Sequence, residues 1–196
     1  MMQIDVVYIP RKEVNDDISK VAFHHLHKLE LGYNKAMEVA FEIMSPSSRD
    51  LAYDTQQPLI LPYLEELTLY ELERTSHVWK CNWNEFLIFQ KPQSQSSFHN
   101  LTTITVEDCN SIKYLFSPLM AKLLSNLKKV KIMSCDAIEE VVSNRDDEDA
   151  SIYSHTTTTL FPHLDTLKLK QLRDFRRIGG GGGANGISTN VHDQLK

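Results

Sequence analysis

A spaced apolar pattern recurs along this chain, and it limits the possible folds more than any other feature. The pattern is an apolar residue, two positions, Leu, two positions, an apolar-x-apolar pair, and then apolar or small residues at steps of three. It is clearest in residues 98–116, "FHNLTTITVEDCNSIKYLF", and in residues 124–142, "LSNLKKVKIMSCDAIEEVV". Further copies begin at Phe23, Leu61 and Phe161, and Ile4 and Val6 match the end of another. Such self-similarity indicates a repeat architecture, in which each copy builds one structural unit.

The apolar-x-apolar pair has the period of a short β-strand, with its apolar residues pointing inward and the intervening residues outward. The Leu before the pair and the apolar steps after it point at the same core while the chain turns. One such coil cannot bury its apolar side alone, whereas a stack of coils can. Each strand is reached by a full right-handed turn, so the strands must be parallel. We therefore predict an α/β solenoid with a parallel sheet, about 25 Å wide at the usual strand spacing, on one side.

The other side of the solenoid is predicted to carry short helices, turns and long loops. In "SPLMAKLLSNL", Ser117 is a candidate N-cap and Pro118 a candidate first helical residue. A second helix is predicted within "NDDISKVAFHHL", where Asp residues stand near the start. Polar or turn-rich insertions at 42–60, 80–97 and 143–160 are predicted to be loops.

Two domain-level predictions follow from this pattern. Residues 1–178 form the solenoid, with about five and a half repeats, and the chain start cuts into a repeat. Residues 179–196 form a flexible, Gly-rich tail. In that tail, Gly181, Gly183 and Gly186 have GxGxxG spacing, but the segment "ISTNVHDQLK" that follows has no helical apolar face, which favours a linker over a dinucleotide site.

Composition excludes several functional classes. The chain has 196 residues and a net charge of −5, which gives no reason to expect nucleic acid as the main partner. It contains no apolar run long enough for a membrane span and no secretory signal pattern at its start. Three cysteines without CxxC spacing make neither a disulfide framework nor a zinc site. We expect a cytoplasmic protein without a membrane partner.

Several stretches of the sequence resemble one family closely. "LPYLEELTLYELERTSHVWKCNW", "FHNLTTITVEDCNSIKYLFSPLMAKLLSNLKKVKI", "CDAIEEVVSNRDDED" and "LFPHLDTLKLKQL" resemble the C-terminal leucine-rich repeats of plant nucleotide-binding disease resistance proteins. They look most like the coiled-coil class of lettuce and its relatives, and the resemblance covers roughly residues 1–183. It implies an intracellular immune receptor, in which this segment contributes to recognition of pathogen effectors or guarded host proteins and to autoinhibition. The alternative is a truncated structural or autoinhibitory fragment that binds nothing by itself.

The sequence departs from this family in two respects. It contains no GxxxxGK[ST] phosphate loop, so ATP or ADP is expected only in the nucleotide-binding domain of a full-length parent and no cofactor is expected here. The Asn that follows the strand in many leucine-rich repeats is kept only as Asn34, and it is replaced by Leu72, Cys109, Cys135 and Leu172. Because a thiol satisfies backbone groups weakly and Leu not at all, we expect the side opposite the sheet to be irregular.

The outward strand positions are the best candidates for a partner-binding surface. Their charges change along the chain, so an acidic half adjoins a basic half on one face. Such a face would steer a dipolar protein partner, would dock another domain of the parent receptor, or would be an ordinary solvated surface. The candidate residues are Glu65, Glu66, Thr68, Tyr70, Glu71, Thr103, Thr105, Glu107, Asp108, Lys128, Lys129, Lys131, Met133, Asp165, Lys168 and Lys170.

Other chemistry-bearing residues favour structural interpretations. His24, His25 and His27 are clustered, but they lack companions at ligand spacing, so no metal site is predicted. Cys109 and Cys135 occupy the same repeat position and are predicted to be buried, reduced thiols, with a disulfide possible only in an oxidising compartment. The sequon at Asn100 is discounted without a signal peptide, and the acidic run at 145–149 is predicted to be a solvated loop. No catalytic constellation is present, so an enzyme is not expected.

Overall fold

The computed structural model describes residues 26–43, 61, 63–81, 98–143, 161–179 and 190–191. Within these ranges the chain forms short strands and one helix, α1, at Pro118–Leu123. The strands are β1 Lys28–Gly32, β2 Val39–Ile43, β3 Glu66–Tyr70, β4 His77–Cys81, β5 Thr103–Glu107, β6 Tyr114–Phe116, β7 Lys129–Met133, β8 Glu140–Val142, β9 Thr166–Lys170 and β10 Asn190–Val191.

A parallel sheet in the order β1-β3-β5-β7-β9-β10 confirms the predicted solenoid. Its register aligns equivalent positions of successive repeats, so that Leu67, Ile104, Val130 and Leu167 lie side by side. Each of these four side chains is buried, whereas the residues directly before and after each of them in its strand are half-buried or exposed. The alternation that predicted the strands therefore separates a continuous apolar core from an accessible face.

Equivalent hydrogen bonds join one repeat to the next at the starts of β3, β5, β7 and β9. The carbonyl of His27 accepts from both Glu65 and Glu66, and the carbonyl of Thr102 accepts from both Lys128 and Lys129. In the same way, the carbonyl of Glu65 accepts from Thr102 and Thr103, and the carbonyl of Lys128 accepts from Asp165 and Thr166. One carbonyl thus holds two N–H groups of the following coil, which fixes the register of the stack.

The residue directly after each of β1, β3, β5, β7 and β9 has a left-handed backbone, with φ between 49° and 54°. None of them is Gly, although this conformation costs other residues about 1–2 kcal/mol. The first four donate their N–H to the last carbonyl of the neighbouring strand before the chain turns away. The five residues are Tyr33, Glu71, Asp108, Ser134 and Gln171.

Among the described residues, the side opposite this sheet combines one short helix and turns with short strands that were not predicted, and these strands form two separate pairs. β2 pairs with β4 and β6 pairs with β8, each in parallel. The turn groups are satisfied in different ways in successive repeats. Asn34 Oδ1 accepts from the N–H groups of Ala36 and Met37, and the buried Thr75, a weak match to the pattern, donates its hydroxyl to the Met37 carbonyl at 2.8 Å.

The predicted secondary elements on this side are partly described. Ser117 caps α1 as predicted, since its hydroxyl accepts from Met120 N at 3.2 Å and Pro118 opens the helix. The predicted loops at 42–60 and 80–97 begin later than expected, because their first two residues belong to β2 and β4. The remainder of those loops, most of 143–160 and nearly all of the predicted helix near residue 20 lie outside the described residues.

The predicted tail contains β10, which pairs Asn190 with Thr166 and Val191 with Leu167 of β9. The rest of the tail beyond Gly179, including the glycines at GxGxxG spacing, lies outside the described residues. The domain boundary at residue 178 and the flexibility of the tail stay predictions.

An aromatic column runs through the core between the main sheet and the opposite side. The Trp79 ring stacks on Phe41 at a centroid distance of 6.2 Å and on Phe116 at 5.4 Å. Phe116 meets Phe161 edge to face at 4.9 Å. These rings come from four of the five repeats, so they add direct packing between coils to the hydrogen bonds of the sheets.

Candidate functional site

The outward residues of β1, β3, β5, β7 and β9 form an ordered grid, which we call the strand face. Three residues of each strand point away from the core, and the parallel register aligns them in three rows across the sheet. The first row is Lys28, Glu66, Thr103, Lys129 and Thr166; the second is Glu30, Thr68, Thr105, Lys131 and Lys168; the third is Gly32, Tyr70, Glu107, Met133 and Lys170.

Most of the predicted partner-binding residues belong to this grid. Five of them do not: Glu65, Lys128 and Asp165 directly precede strands, and Glu71 and Asp108 directly follow strands. All five are exposed at the margins of the grid. The structure therefore brings the predicted residues together on one surface, while their role in binding a partner stays a prediction.

The prediction missed the contribution of β1 to the strand face. Lys28 and Glu30 lie in the grid and form an ion pair at 2.8 Å. The outward position of β1 in the third row is Gly32, and exposed Tyr33 follows it. The sequence signal was available, because the copy that begins at Phe23 places these residues at outward positions, as in the other repeats.

The basic half of the strand face consists of like charges that lie next to one another. Lys131 on β7 is paired in register with Lys168 on β9, and Lys129 and Lys170 lie diagonally from them. Within the ranges that the structure describes, none of these four lysines forms an ion pair. Because like charges directly opposite each other destabilise a sheet, this arrangement is unfavourable for the isolated fold.

The acidic half surrounds an aromatic pair at the end of the sheet. The rings of Tyr33 and Tyr70 meet edge to face, with centroids 4.9 Å apart. The Tyr70 ring lies over Gly32, where an added Cβ would collide with it. Partial burial, together with Tyr33 and the carboxylates of Glu30 and Glu71, raises the pKa of Tyr70. The ring is therefore neutral at physiological pH and lies in a negative field.

Three ion pairs on the opposite side join the repeat that begins at Leu124 to the repeat that begins at Phe161. Arg173 lies 3.1 Å from the carboxylate of Asp136, and Arg177 lies 2.8 Å from that of Glu140. Arg176 lies 3.8 Å from Glu139. Sequence reasoning missed this ladder, although "DAIEE" and "RDFRR" occupy equivalent positions in consecutive copies of the pattern.

Comparison with known proteins identifies the repeats. A family model described as plant disease resistance protein RPS2-like, leucine-rich repeats, matches residues 12–117 and 84–179. The chain belongs to this family. No curated protein and no solved structure matches the chain.

Membership of the RPS2-like family confirms the disease resistance and leucine-rich-repeat parts of the predicted resemblance. Leucine-rich repeats of resistance proteins generally bind proteins and are typically not enzymes. The strand face is the surface on which these repeats present consecutive outward side chains from every coil.

In these RPS2-like repeats, two thiols replace the Asn of the turn, and both are fully buried as predicted. The Cys109 N–H donates to Cys135 Sγ at 3.4 Å, and the two thiols donate to the carbonyls of Glu107 and Met133. The Cys135 thiol thus accepts a backbone N–H of the preceding repeat, whereas the retained Asn34 accepts N–H groups of its own repeat. The hydrogen bond with Cys109 and burial raise the pKa of the Cys135 thiol, so it stays protonated.

The remaining chemistry-bearing candidates have structural or unassigned positions. His27 pairs with Glu65 at 3.1 Å, while His24 and His25 lie outside the described residues. Asn100 is exposed in the turn before β5, and the acidic run at 145–149 lies outside the described residues. Over the described part of the chain, no three His, Cys, Asp or Glu residues are grouped as metal ligands. No helix there combines the length and apolar character that crossing a membrane requires.

Proposed function

We propose that this segment binds a protein through the strand face, as part of an intracellular plant immune receptor. It contributes there to recognition of a pathogen effector or a guarded host protein, and to autoinhibition of the receptor. The observation that carries the proposal is the difference between two charge clusters: three Arg–carboxylate pairs join consecutive repeats on the opposite side, whereas Lys131 and Lys168 lie side by side on the strand face and form no ion pair with a described residue.

Two further features support a protein as the partner. The strand face combines acidic, basic, hydroxyl and aromatic side chains, which suits a polypeptide surface better than a uniform polyanion. Leucine-rich repeats of resistance proteins generally bind proteins. The parent receptor that we propose is of the coiled-coil nucleotide-binding class and acts in the cytoplasm, with ATP or ADP bound by its nucleotide-binding domain.

The proposal can be tested by charge reversal on the strand face. The chain is fused to a proximity-labelling enzyme in leaf cells, and labelled proteins are compared between the native chain and a Lys128→Glu, Lys129→Glu, Lys131→Glu variant. A matched control reverses Arg74, Lys80 and Lys113, which are exposed outside the strand face. We expect at least one protein to be labelled about tenfold less by the first variant and equally by the control. Far-UV circular dichroism checks that both variants fold.

Two other outcomes would decide against the proposal. An unchanged set of labelled proteins would show that the strand face is a solvated surface. A change in the activity of a receptor that carries the strand-face variant, without loss of any labelled protein, would support the alternative of a structural or autoinhibitory segment without its own partner.

A further inference from the structure

We infer that the occupant of the strand face is one extended protein segment of mixed charge, with acidic side chains on Lys131 and Lys168 and a Lys or Arg side chain on Tyr70. This inference rests on the proposed function and adds the chemistry of the partner. It names two subsites, a basic one on β7 and β9 and an aromatic one on β3.

The basic subsite follows from the register of β7 and β9. Lys131 and Lys168 are directly opposite, so their ammonium groups share one small region of the face. The neighbouring outward residues in the second row are Thr105 and, further along, Thr68, which bring no negative charge. Glu107 lies diagonally from Lys131 and forms no ion pair with it. An acidic side chain between the two lysines would offset their repulsion and accept hydrogen bonds from both.

The aromatic subsite follows from the surroundings of Tyr70. Its ring packs on Gly32 and is perpendicular to the ring of Tyr33, with Glu107 next to it in the same row. Glu71 follows it in the chain, and within the described residues neither Glu71 nor Glu107 forms an ion pair. An aromatic face with carboxylates beside it suits a cationic side chain, which gains both ring and charge contacts.

The separation of the subsites fixes the spacing of the partner's residues. Tyr70 lies two strands from Lys131 and three from Lys168, which is about 10–15 Å across the sheet and about 7 Å along a strand. An extended chain that rises about 3.3 Å per residue covers this distance in about four to five residues. The segment should therefore carry a Lys or Arg about four or five residues from an Asp or Glu.

The acidic half of the face disfavours a nucleic acid. A backbone of phosphates long enough to reach beyond the basic subsite would meet Glu107, Asp108 and Glu66, all of which lie on or beside the grid. These carboxylates would repel phosphate. They favour a polypeptide, because it can alternate its charge over a few residues.

The test is a selection of random 12-residue displayed peptides on the immobilised whole chain, followed by affinity measurements with the enriched peptides. We expect enriched sequences to pair Lys or Arg with Asp or Glu at a spacing of four or five. Tyr70→Ala should weaken a peptide about tenfold, and only if the peptide keeps its Lys or Arg. Lys131→Glu with Lys168→Glu should weaken it about tenfold, with recovery when the peptide's acidic residue is changed to Lys.

Matched variants separate the subsites from general damage. Tyr63→Ala removes an exposed aromatic residue outside the grid, and Lys80→Glu with Lys113→Glu reverses two exposed charges elsewhere; both should leave affinity within twofold. Tyr70→Phe should retain binding. Resistance of Cys109 and Cys135 to thiol labelling shows that each variant is folded.

The outcomes distinguish this inference from the proposed function. Peptides that need the strand face but show no paired charges would overturn the inference and leave the proposed function standing. Peptides that bind every strand-face variant equally, or a selection that enriches nothing, would overturn both. Binding of a 12-nucleotide single-stranded DNA that is lost in the double lysine variant would replace the protein segment with a nucleic acid and overturn the inference.

Discussion

The strand face and the opposite side are built from the same repeats, yet their charged side chains are arranged differently. On the opposite side, Arg173 and Arg177 of one repeat meet Asp136 and Glu140 of the repeat before it. On the strand face, lysines of consecutive repeats face each other without a counter-charge. Paired charges contribute to holding coils together, and unpaired like charges do not. The comparison indicates that the buried pair of Arg177 and Glu140 contributes to the stability of the stack, whereas the adjacent lysines of the strand face do not.

The largest expected effect is the loss of the innermost ion pair on the opposite side. Arg177→Ala removes the partner that donates to Glu140 at 2.8 Å, and that carboxylate is almost fully buried. We expect the free energy of unfolding to fall by about 2 kcal/mol, because a charged hydrogen bond to a buried group is lost. Urea unfolding followed by circular dichroism measures the change.

The control for this prediction is Arg173→Ala, which breaks an exposed pair with Asp136. Exposed ion pairs are worth little, so the loss should stay within about 0.5 kcal/mol. Equal effects of the two substitutions would show that burial of Glu140 does not make its pair special, and the stabilising role of the opposite side would have to be withdrawn.

A smaller effect is expected from the thiols that lie beneath the ends of the strands, between the two sides. The pKa of Cys135 is raised in the folded chain, so the folded state retains its proton where the unfolded state loses it. Its contribution to stability is therefore complete below the unfolded thiol pKa of about 8.5 and falls as pH rises above it. We expect the native chain to lose about 1 kcal/mol more than Cys135→Ala between pH 7 and pH 9.5.

The measurement is the urea midpoint of both proteins at the two pH values. Groups that do not contact Cys135 are shared by the two proteins and cancel in the difference. Cys109 does not cancel, because its hydrogen bond with Cys135 lowers its pKa, so the difference reports the two thiols as a pair. A parallel decline of the native chain and Cys135→Ala would mean that the thiol is not protected in the folded state, and that the core between the two sides is open to solvent.

The strands, the helix cap and the buried thiols were predictable from the sequence, because each depends on residues that are close together in the chain. The alternation around Ile104 and Val130 fixed the strands, because a period of two has one structural meaning when apolar residues recur in every copy. The cap at Ser117 was predictable because Ser followed by Pro has a specific role at a helix start. Burial of Cys109 and Cys135 followed from their repeat position.

The rest depended on contacts between repeats, which a single pattern does not reveal. Apolar steps of three fit a turn as well as a strand, so β2, β4, β6 and β8 were missed. The left-handed residues after the strands, such as Tyr33 and Asp108, have no common side chain, because hydrogen bonds to the neighbouring coil impose that backbone. The pairing of Glu140 with Arg177 likewise required knowing which repeats are adjacent.

The smallest expected effect has the opposite sign and tests the strand face directly. Lys168→Glu places a carboxylate opposite Lys131 and diagonal to Lys129. We expect the free energy of unfolding to rise by about 0.5 kcal/mol, because a like-charge pair becomes an opposite-charge pair. Lys168→Gln, which removes the repulsion without adding attraction, should give about half of that gain. Both variants should bind the partner of the strand face more weakly than the native chain does. A loss of stability in Lys168→Glu would instead indicate that the native lysines are already compensated within this chain, and the argument for an external acidic segment would lose its basis.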